Sequence, residues 1–417
     1  MNVAVIGLGY IGLPTAALIA SKGIKVVGVD VNKDVINIIN EGKIHIVEPQ
    51  IDILVKSAVN NGNLRATLIP EKADVFILTV PTPLKNKNEP NLSYIKSAAK
   101  AIAPCLQKGN LVILESTSPV GTTEKLMEWM WQERPDLSFP KLGTKEIFDI
   151  AVAYCPERVL PGNVVSELVE NDRIIGGMTI YCSEKANDFY NIFIKSKCLI
   201  TDSRTAELVK LVENSFRDVN IAFANELSLI CDKLNLNVWE LIKLANHHPR
   251  VNILQPGPGV GGHCIAVDPW FIVDSAPKEA KLIKMAREVN NDKPKFVINK
   301  VNQAISISPK NVSNLSITCL GLSFKADIDD LRESPALEIS IQVSEMGFKN
   351  HYIVEPNINN LPVEFKEKRS LLVELEKALA MSDIVLLLVD HTPFKKINLS
   401  LLSGKNIIDT RGTWVNL

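Results

Sequence analysis

One of the seven cysteines in the 417-residue chain stands in a sequence context that favours chemistry. Cys264 lies in Gly-Val-Gly-Gly-His-Cys-Ile-Ala-Val-Asp-Pro, where glycines let the backbone approach a ligand closely and can leave a thiol exposed. A cysteine beside a bound aldehyde can form a thiohemiacetal and then a thioester, so Cys264 is a candidate nucleophile. Simple packing is the alternative for it, and we expect packing for the other six cysteines.

Three polar residues share one face of a predicted helix. Residues 204–236 contain no glycine and no proline, and their apolar side chains recur at helical spacing, which predicts one long helix or two with a slight bend. Lys210, Asn214 and Arg217 follow each other at i, i+4 and i+7 on it. A lysine held beside a reacting alcohol could stabilise an alkoxide or transfer a proton, whereas a solvated helix face is the alternative.

The start of the chain predicts a dinucleotide site. Gly7, Gly9 and Gly12 form Gly-x-Gly-x-x-Gly between a strand and a helix, which suits a tight turn, an approaching pyrophosphate and close helix packing. Asp30 ends the next strand, where a carboxylate bonds the ribose hydroxyls of NAD and repels the 2′-phosphate of NADP. The cofactor predicted from this pattern is NAD, and a purely structural glycine turn is the alternative.

Charged residues also follow two other predicted strands. Glu157 and Arg158 come directly after the strand-like IAVAYC, and Phe324, Lys325 and Arg332 follow the strand SITCLGL. Ligands of open α/β sheets bind at the carboxyl ends of strands, so both loops are candidate ligand contacts. A surface turn is the alternative for each of them.

The elements that must position these residues alternate between strand and helix at both ends of the chain, which predicts an α/β fold. We expect two Rossmann-like, doubly wound domains joined by a long central helix and a helical middle domain. The predicted boundaries are 1–200 for the NAD-binding domain, 201–306 for a central dimerisation domain and 307–417 for a second Rossmann-like domain. SDIVLLLVDHTPF resembles ADVFILTVPTPL, so the two sheets look like a degenerate duplication.

Composition excludes some classes of partner. Lys plus Arg total 46 and Asp plus Glu total 47, so no global charge attracts nucleic acid or an anionic membrane. Residues 1–21 lack charge but hold three glycines and a proline, which favours a buried strand, turn and helix over a signal segment. No Cys-x-x-Cys pair occurs, so neither a metal ribbon nor a dithiol site is predicted. We expect a cytoplasmic protein with reduced thiols and no metal.

The segments that carry a family resemblance are, in order along the chain, GLGYIGLP, VPTP, ESTSPVGTTE, PERVLPG, ELVKLVENSFRDVN, GPGVGGHCIAVDPWF and GLSFKADIDDLRESPA. Over nearly its whole length the chain resembles the UDP-glucose/GDP-mannose dehydrogenase family. Members of this family oxidise a sugar C6 alcohol to a carboxylate with two NAD. The resemblance implies that Cys264 is the nucleophile, that Lys210 stabilises the alkoxide or transfers a proton, and that Glu157, Asp268 and Thr117 lie near the hydrolytic water.

The resemblance also implies two sets of ligand contacts. The expected NAD contacts, in addition to the three glycines, are Tyr10, Ile11, Asp30, Thr82, Thr123 and Arg332. The expected contacts to the UDP-sugar are Arg158, Val159, Lys210, Asn214, Arg217, His248, Arg250, Gly261, Phe324 and Lys325. The family pattern further implies a homodimer in which Arg250 enters the partner's sugar pocket.

Within the family the chain is most similar to enzymes acting on UDP-N-acetyl-D-mannosamine, with UDP-N-acetylglucosamine as the alternative substrate. UDP-glucose enzymes carry a second acid where this chain has Pro161, and phenylalanine where it has Arg158, so a 2-acetamido sugar is favoured. Two rival functions remain open: a single-step hydroxy-acid dehydrogenase, and a binding protein without activity. The three possibilities differ in NADH formed per sugar: two, one or none.

Overall fold

The computed structural model describes residues 1–46, 48–85, 88–141, 148–159 and 162–414. Pro161 therefore lies outside the described residues. The chain divides into two compact units, and each is described by itself. The first comprises residues 1–213 and 270–276, and the second comprises residues 214–269 and 277–417.

The described strands of the first unit form one sheet with the order β3-β2-β1-β4-β5-β6-β7-β8. All neighbouring pairs are parallel except β6 and β7, where Ala153 pairs with Gly177 and Tyr154 with Gly176 in antiparallel register. Strands β4, β5 and β6 are buried along their whole length, as expected where helices cover both faces. The strands are β1 (Asn2–Ile6), β2 (Lys25–Val29), β3 (Leu64–Thr67), β4 (Val75–Leu78), β5 (Leu111–Leu114), β6 (Ala151–Tyr154), β7 (Arg173–Gly177) and β8 (Cys198–Asp202).

The helices of the first unit begin where the sequence supplies suitable ends. Asn32 and Thr179 cap the second and seventh helices, since their side-chain oxygens accept backbone N–H groups of the first turn. The helices are α1 (Gly12–Ser21), α2 (Lys33–Asn40), α3 (Ile51–Asn60), α4 (Ser93–Ile102), α5 (Thr122–Glu133), α6 (Val164–Glu170) and α7 (Ile180–Tyr190).

The long helix predicted between the two α/β regions is confirmed as one continuous element. It is α8 (Ser203–Leu234), whose 32 residues span about 48 Å. It is followed by α9 (Val238–Ala245), α10 (Asp268–Ser275) and α11 (Lys281–Ile307).

The second sheet contains the strands described after residue 315, in the order β11-β10-β9-β12-β13, all parallel. The predicted fold class is thereby confirmed. The strands are β9 (Ser316–Leu320), β10 (Asn350–Val354), β11 (Ser370–Leu372), β12 (Ile384–Leu387) and β13 (Asn406–Asp409). The helices among them are α12 (Pro335–Ser344), α13 (Leu375–Met381) and α14 (Thr392–Lys395).

The turn after the first strand of each sheet makes the same pattern of hydrogen bonds, which supports the predicted duplication. Gly7 N–H donates to the last residue of β2 at 2.8 Å, and Gly321 N–H donates to the last residue of β10 at 2.9 Å. The next residue donates to a carboxylate in both cases: Leu8 N–H to Asp30 and Leu322 N–H to Glu355. In the second unit that carboxylate also lies 3.0 Å from Nε2 of the buried His391.

Among the described residues, no helix combines the length and the apolar character that a membrane crossing requires.

The glycine turn makes a prediction about stability. A Cβ atom at Gly12 would lie 1.8 Å from the carbonyl oxygen of Gly7, whereas a Cβ at Gly9 would meet no atom within 4 Å. We expect Gly12→Ala to lower stability by about 3 kcal/mol, since the backbone must shift. Gly9→Ala is the matched control and should leave the Tm within a few degrees of wild type. Equal Tm values for the two variants in thermal denaturation would contradict this geometry.

Candidate active site

The glycine turn and Asp30 together fit a dinucleotide. Gly7 adopts φ +96°, and the space over Gly9 at the start of α1 is open, so a pyrophosphate can approach the backbone there. Asp30 is half-buried at the end of β2, and its carboxylate accepts N–H groups of Leu8 and Asn32 at 2.9 Å each. These bonds fix the carboxylate at the sheet edge, where the ribose of NAD would lie.

The loop after β5 is held by a buried carboxylate that the sequence analysis missed. Glu207 on α8 accepts N–H groups of Gly121 at 2.6 Å and Thr123 at 2.7 Å, and the Thr123 hydroxyl at 2.6 Å. Thr82 donates its hydroxyl to the carbonyl of Thr117 at 2.6 Å. Thr82 is thus bonded to the loop at Thr117, and Thr123 at the end of the loop is fully buried with its hydroxyl turned to Glu207.

The predicted carboxylate Glu157 belongs to a cluster of buried charges. Its Oε2 accepts Nη2 of Arg173 at 2.8 Å, and its Oε1 accepts the backbone N–H of Arg158 at 2.7 Å. Nη1 of Arg173 lies 3.6 Å from Glu115, which accepts the hydroxyl of Tyr190 at 2.6 Å. We call Glu115, Glu157, Arg173 and Tyr190 the buried charge cluster.

The buried charge cluster contains two carboxylates and one guanidinium. Burial and the neighbouring charge of Glu157 together raise the pKa of Glu115 to about 7, against the opposing effects of Arg173 and the Tyr190 hydroxyl. Burial of two negative charges beside one positive charge is unfavourable, so the cluster keeps a proton into the neutral range.

Arg158 points its guanidinium at Glu213 on α8, in a two-point ion pair of 2.6 and 3.0 Å, and donates to the carbonyl of Asp172 at 2.9 Å. Lys210 lies half-buried one turn before Glu213, and Val159 is half-buried beside Arg158. A cavity of about 550 Å³ adjoins Arg158, but its lining includes three carboxylates, which suits no anionic ligand.

In the second unit, Cys264 has the exposure that its sequence context predicts. All seven cysteines lie in described residues, and only Cys264 is exposed. Its carbonyl accepts N–H groups of Val267 at 3.0 Å and Asp268 at 2.8 Å, which closes a turn directly before α10. The exposed thiol therefore lies at the start of a short turn that is closed by two backbone hydrogen bonds.

The glycines before Cys264 are required by close packing. A Cβ at Gly262 would lie 3.0 Å from the ring of Phe324, and one at Gly261 would lie 2.3 Å from the carbonyl of Glu333. The loop after β9, where Lys325 is exposed, is thus packed against the cysteine loop, a contact that the sequence did not predict. Arg332 in this loop pairs with Asp330 at 2.7 Å.

Two further predicted residues meet near the start of α10. Nδ2 of Asn214 donates to Oδ2 of Asp268 at 2.5 Å, and both side chains are buried. Arg217 is exposed on the next turn of α8. His248 and Arg250 are exposed after α9, where the Arg250 N–H donates to Nδ1 of His248 at 3.3 Å.

In the glycine turn the side chain of Tyr10 is 37% exposed, and that of Ile11 is half-buried. The sequence analysis missed Arg173, Glu115 and Glu207, because one charged residue at the end of a short apolar strand, or within a long helix, carries no spacing signal. For Glu115 and Arg173 the available signal was a charged residue next to a buried, apolar strand, where a charge without a partner is strongly unfavourable.

The raised pKa of Glu115 predicts a pH dependence of stability. Its ordinary value is 4.5, so between about pH 4.5 and 7 the folded protein binds more protons than the unfolded chain. The contribution of this group to the free energy of unfolding is therefore complete below about pH 4.5. It declines, by up to about 3 kcal/mol, as the pH rises to about 7. Glu115→Gln keeps an acceptor for Tyr190 and removes the titration.

We expect the Tm of Glu115→Gln minus that of wild type to rise by roughly 2–5 °C from pH 5.5 to pH 8. Glu124→Gln is the control, because Arg204 lowers the pKa of Glu124, which is thus ionised at both pH values. If the Tm difference from wild type were the same at pH 5.5 and pH 8 for both variants, Glu115 would not titrate in this range.

Comparison with known proteins identifies the same three regions. The UDP-glucose/GDP-mannose dehydrogenase family matches with its NAD binding domain over residues 1–194, its central domain over 204–292 and its UDP binding domain over 318–416. UDP-N-acetyl-D-mannosamine dehydrogenase from Campylobacter jejuni is 62% identical over 398 residues, which are 95% of this chain and 97% of that protein.

Two further relatives are similar over almost their whole lengths. NDP-N-acetyl-D-galactosaminuronic acid dehydrogenase from Ralstonia nicotianae is 58% identical over 99% of this chain and 96% of its own. The solved structure of a UDP-D-ManNAc dehydrogenase from Pyrococcus horikoshii has a TM-score of 0.89 and 39% identity, and covers 99% of this chain and 96% of that one. On this evidence the chain belongs to the UDP-glucose/GDP-mannose dehydrogenase family, and its cofactor is NAD.

Proposed function

We propose that the protein oxidises the C6 alcohol of UDP-N-acetyl-D-mannosamine to the uronate, with two NAD. The observation that carries the proposal is the single exposed thiol, Cys264, in a glycine loop packed on the Phe324 loop. The relative at 62% identity supports this sugar. The Ralstonia relative favours a second candidate, the galacto-configured UDP-N-acetylhexosamine, and UDP-N-acetylglucosamine is a third. A cytoplasmic location and the domain boundaries 1–200, 201–306 and 307–417 are parts of the same proposal.

In the proposed reaction the alcohol, two NAD and one water give a carboxylate, two NADH and three protons. Bound NAD supplies the hydride acceptor, held by the glycine turn and Asp30. Thr82, Thr123 and Arg332 complete the proposed NAD contacts. Lys210 and Asn214 stabilise the negative oxygen that develops on C6.

Cys264 attacks the resulting aldehyde through sulfur, and loss of the second hydride leaves a thioester. Water then attacks the thioester carbonyl carbon, the carbon–sulfur bond breaks, and the thiolate of Cys264 leaves. Glu157 takes the proton from this water, with Asp268 and Thr117 as neighbours of the water. Arg158, Val159, Arg217, His248, Gly261, Phe324 and Lys325 are the proposed contacts to the UDP-sugar.

The NADH count tests the reaction. With limiting UDP-N-acetyl-D-mannosamine we expect two NADH per sugar, and slower turnover of the N-acetylglucosamine, N-acetylgalactosamine and glucose analogues. Cys264→Ser and Cys264→Ala should bind NAD but lose uronate formation by on the order of 10³-fold or more. Cys105→Ser is the matched control and should keep nearly full turnover. Wild-type turnover by Cys264→Ala, or one NADH per sugar in wild type, would refute the mechanism.

We also propose a homodimer in which Arg250 completes the partner's sugar site. Support comes from an apolar stripe on α8: Phe216, Phe223 and Ile230 repeat at seven-residue spacing and are 68%, 52% and 45% exposed. Monomers rarely expose aromatic side chains in a continuous row. Arg250 itself is exposed, as a residue that reaches a second copy must be.

Mixing inactive variants tests the shared site. Arg250→Ala should lose activity mainly through sugar binding, and Cys264→Ala through chemistry. In a mixed dimer one site has an intact Cys264 and the partner's intact Arg250, so random exchange should restore about a quarter of wild-type activity. Asn214→Ala mixed with Cys264→Ala is the control and should restore nothing, since one protomer supplies both residues. No recovery in the first mixture, with subunit exchange demonstrated for wild type, would exclude action of Arg250 across the interface.

A further inference from the structure

The reversed strand β7 brings a cation to the carboxyl end of β6. The antiparallel register pairs Tyr154 with Gly176, and its continuation sets Glu157 opposite Arg173. Had β7 been parallel, its first residue would lie at the opposite edge of the sheet. The strand at which the sheet changes direction, and to which β8 runs parallel, therefore supplies the guanidinium that contacts Glu157.

Both oxygens of Glu157 are held. Arg173 donates to Oε2 at 2.8 Å, and the N–H of Arg158 donates to Oε1 at 2.7 Å. Two donors fix the plane of the carboxylate, and a carboxylate has about four acceptor positions, so some remain for a water molecule.

Arg173 is itself held from the other side. Its side chain is 4% exposed, its guanidinium lies 4.8 Å from the centre of the Tyr190 ring, and Nη1 lies 3.6 Å from Glu115. Glu115 in turn accepts the Tyr190 hydroxyl. A buried ionic group of this kind is seldom needed for stability, because apolar residues of similar volume often replace it without loss. A role in the chemistry of Glu157 accounts for its presence.

We propose that Arg173, held by Glu115 and Tyr190, is a positioning residue for Glu157 in thioester hydrolysis. This rests on the proposed function, in which Glu157 takes a proton from the water that attacks the acyl carbon of Cys264. Arg173 acts by keeping the Glu157 carboxylate in one orientation while the water approaches. Displacement of such a group by about 1 Å can cost on the order of 10²-fold in rate.

The test separates the hydrolytic step from the oxidations. Arg173→Lys keeps the positive charge but loses the planar fork that meets two carboxylates. Mixed rapidly with saturating NAD and UDP-N-acetyl-D-mannosamine, we expect it to release two NADH per site in a burst. Steady turnover should then be about 10–100-fold slower than wild type, with an acyl adduct on Cys264 visible by intact-protein mass spectrometry and removed by hydroxylamine.

Tyr190→Phe is a second, milder variant, since it removes only the hydroxyl bonded to Glu115 and keeps the ring beside Arg173. It should show the same burst with a smaller loss of steady turnover. Arg134→Lys is the control, because Arg134 pairs with Asp136 outside the buried charge cluster, and it should form no adduct. A burst that shrinks in parallel with steady turnover would mean a structural role only and overturn the inference.

Glu157→Gln distinguishes failure of the inference from failure of the proposed function. If Glu157→Gln accumulates the adduct and Arg173→Lys and Tyr190→Phe do not, only the role of Arg173 is wrong. If Glu157→Gln also hydrolyses the thioester at the wild-type rate, the proposed role of Glu157 falls and the inference falls with it.

Discussion

Parallel pairing of strands is the constraint on which the first unit depends. Because β1, β2, β4, β5 and β6 run in one direction, their carboxyl ends meet at one edge of the sheet. The glycine turn, Asp30, the threonine loop and Glu157 all follow those ends. No charged residue is needed inside the strands themselves, which are free to be apolar and buried. The parallel topology thus brings the candidate site residues to one edge of the sheet, and the strand residues themselves serve to pack the core.

This arrangement is energetically unfavourable at the buried charge cluster, where charged side chains next to the sheet edge are removed from solvent. Arg173 stands between two carboxylates with only 4% of its side chain exposed, and each ion there loses most of its hydration. The Tyr190 hydroxyl and ring, together with a retained proton on Glu115, offset part of that loss. Glu207 solves a similar problem with three donors from the start of α5 and its loop, where backbone N–H groups lack helical partners.

Much of the fold could be predicted from the sequence, because glycine turns, apolar strands and an uninterrupted helical pattern are local signals. The exposure of Cys264 agrees with the glycine-rich character of its segment, whereas the packing of those glycines on the Phe324 loop was not predicted. The partners of Glu157 could not be predicted in this way. Arg173 meets Glu157 only because β7 runs against β6, and strand direction is set by tertiary contacts rather than by the five residues of β7.

The antiparallel register of β6 and β7 also has a consequence for divergence among relatives. The pairs Ala153–Gly177 and Tyr154–Gly176 fix both ends of the intervening segment, so Arg173 stays opposite Glu157 whatever lies between residues 158 and 172. That segment contributes Arg158, a proposed sugar contact. Relatives can therefore differ in the side chains of this segment, and in the hexosamine it is proposed to contact, without a change in the contact between Arg173 and Glu157. In this fold one strand pairing thus separates the segment proposed to contact the sugar from the residues proposed to act in thioester hydrolysis.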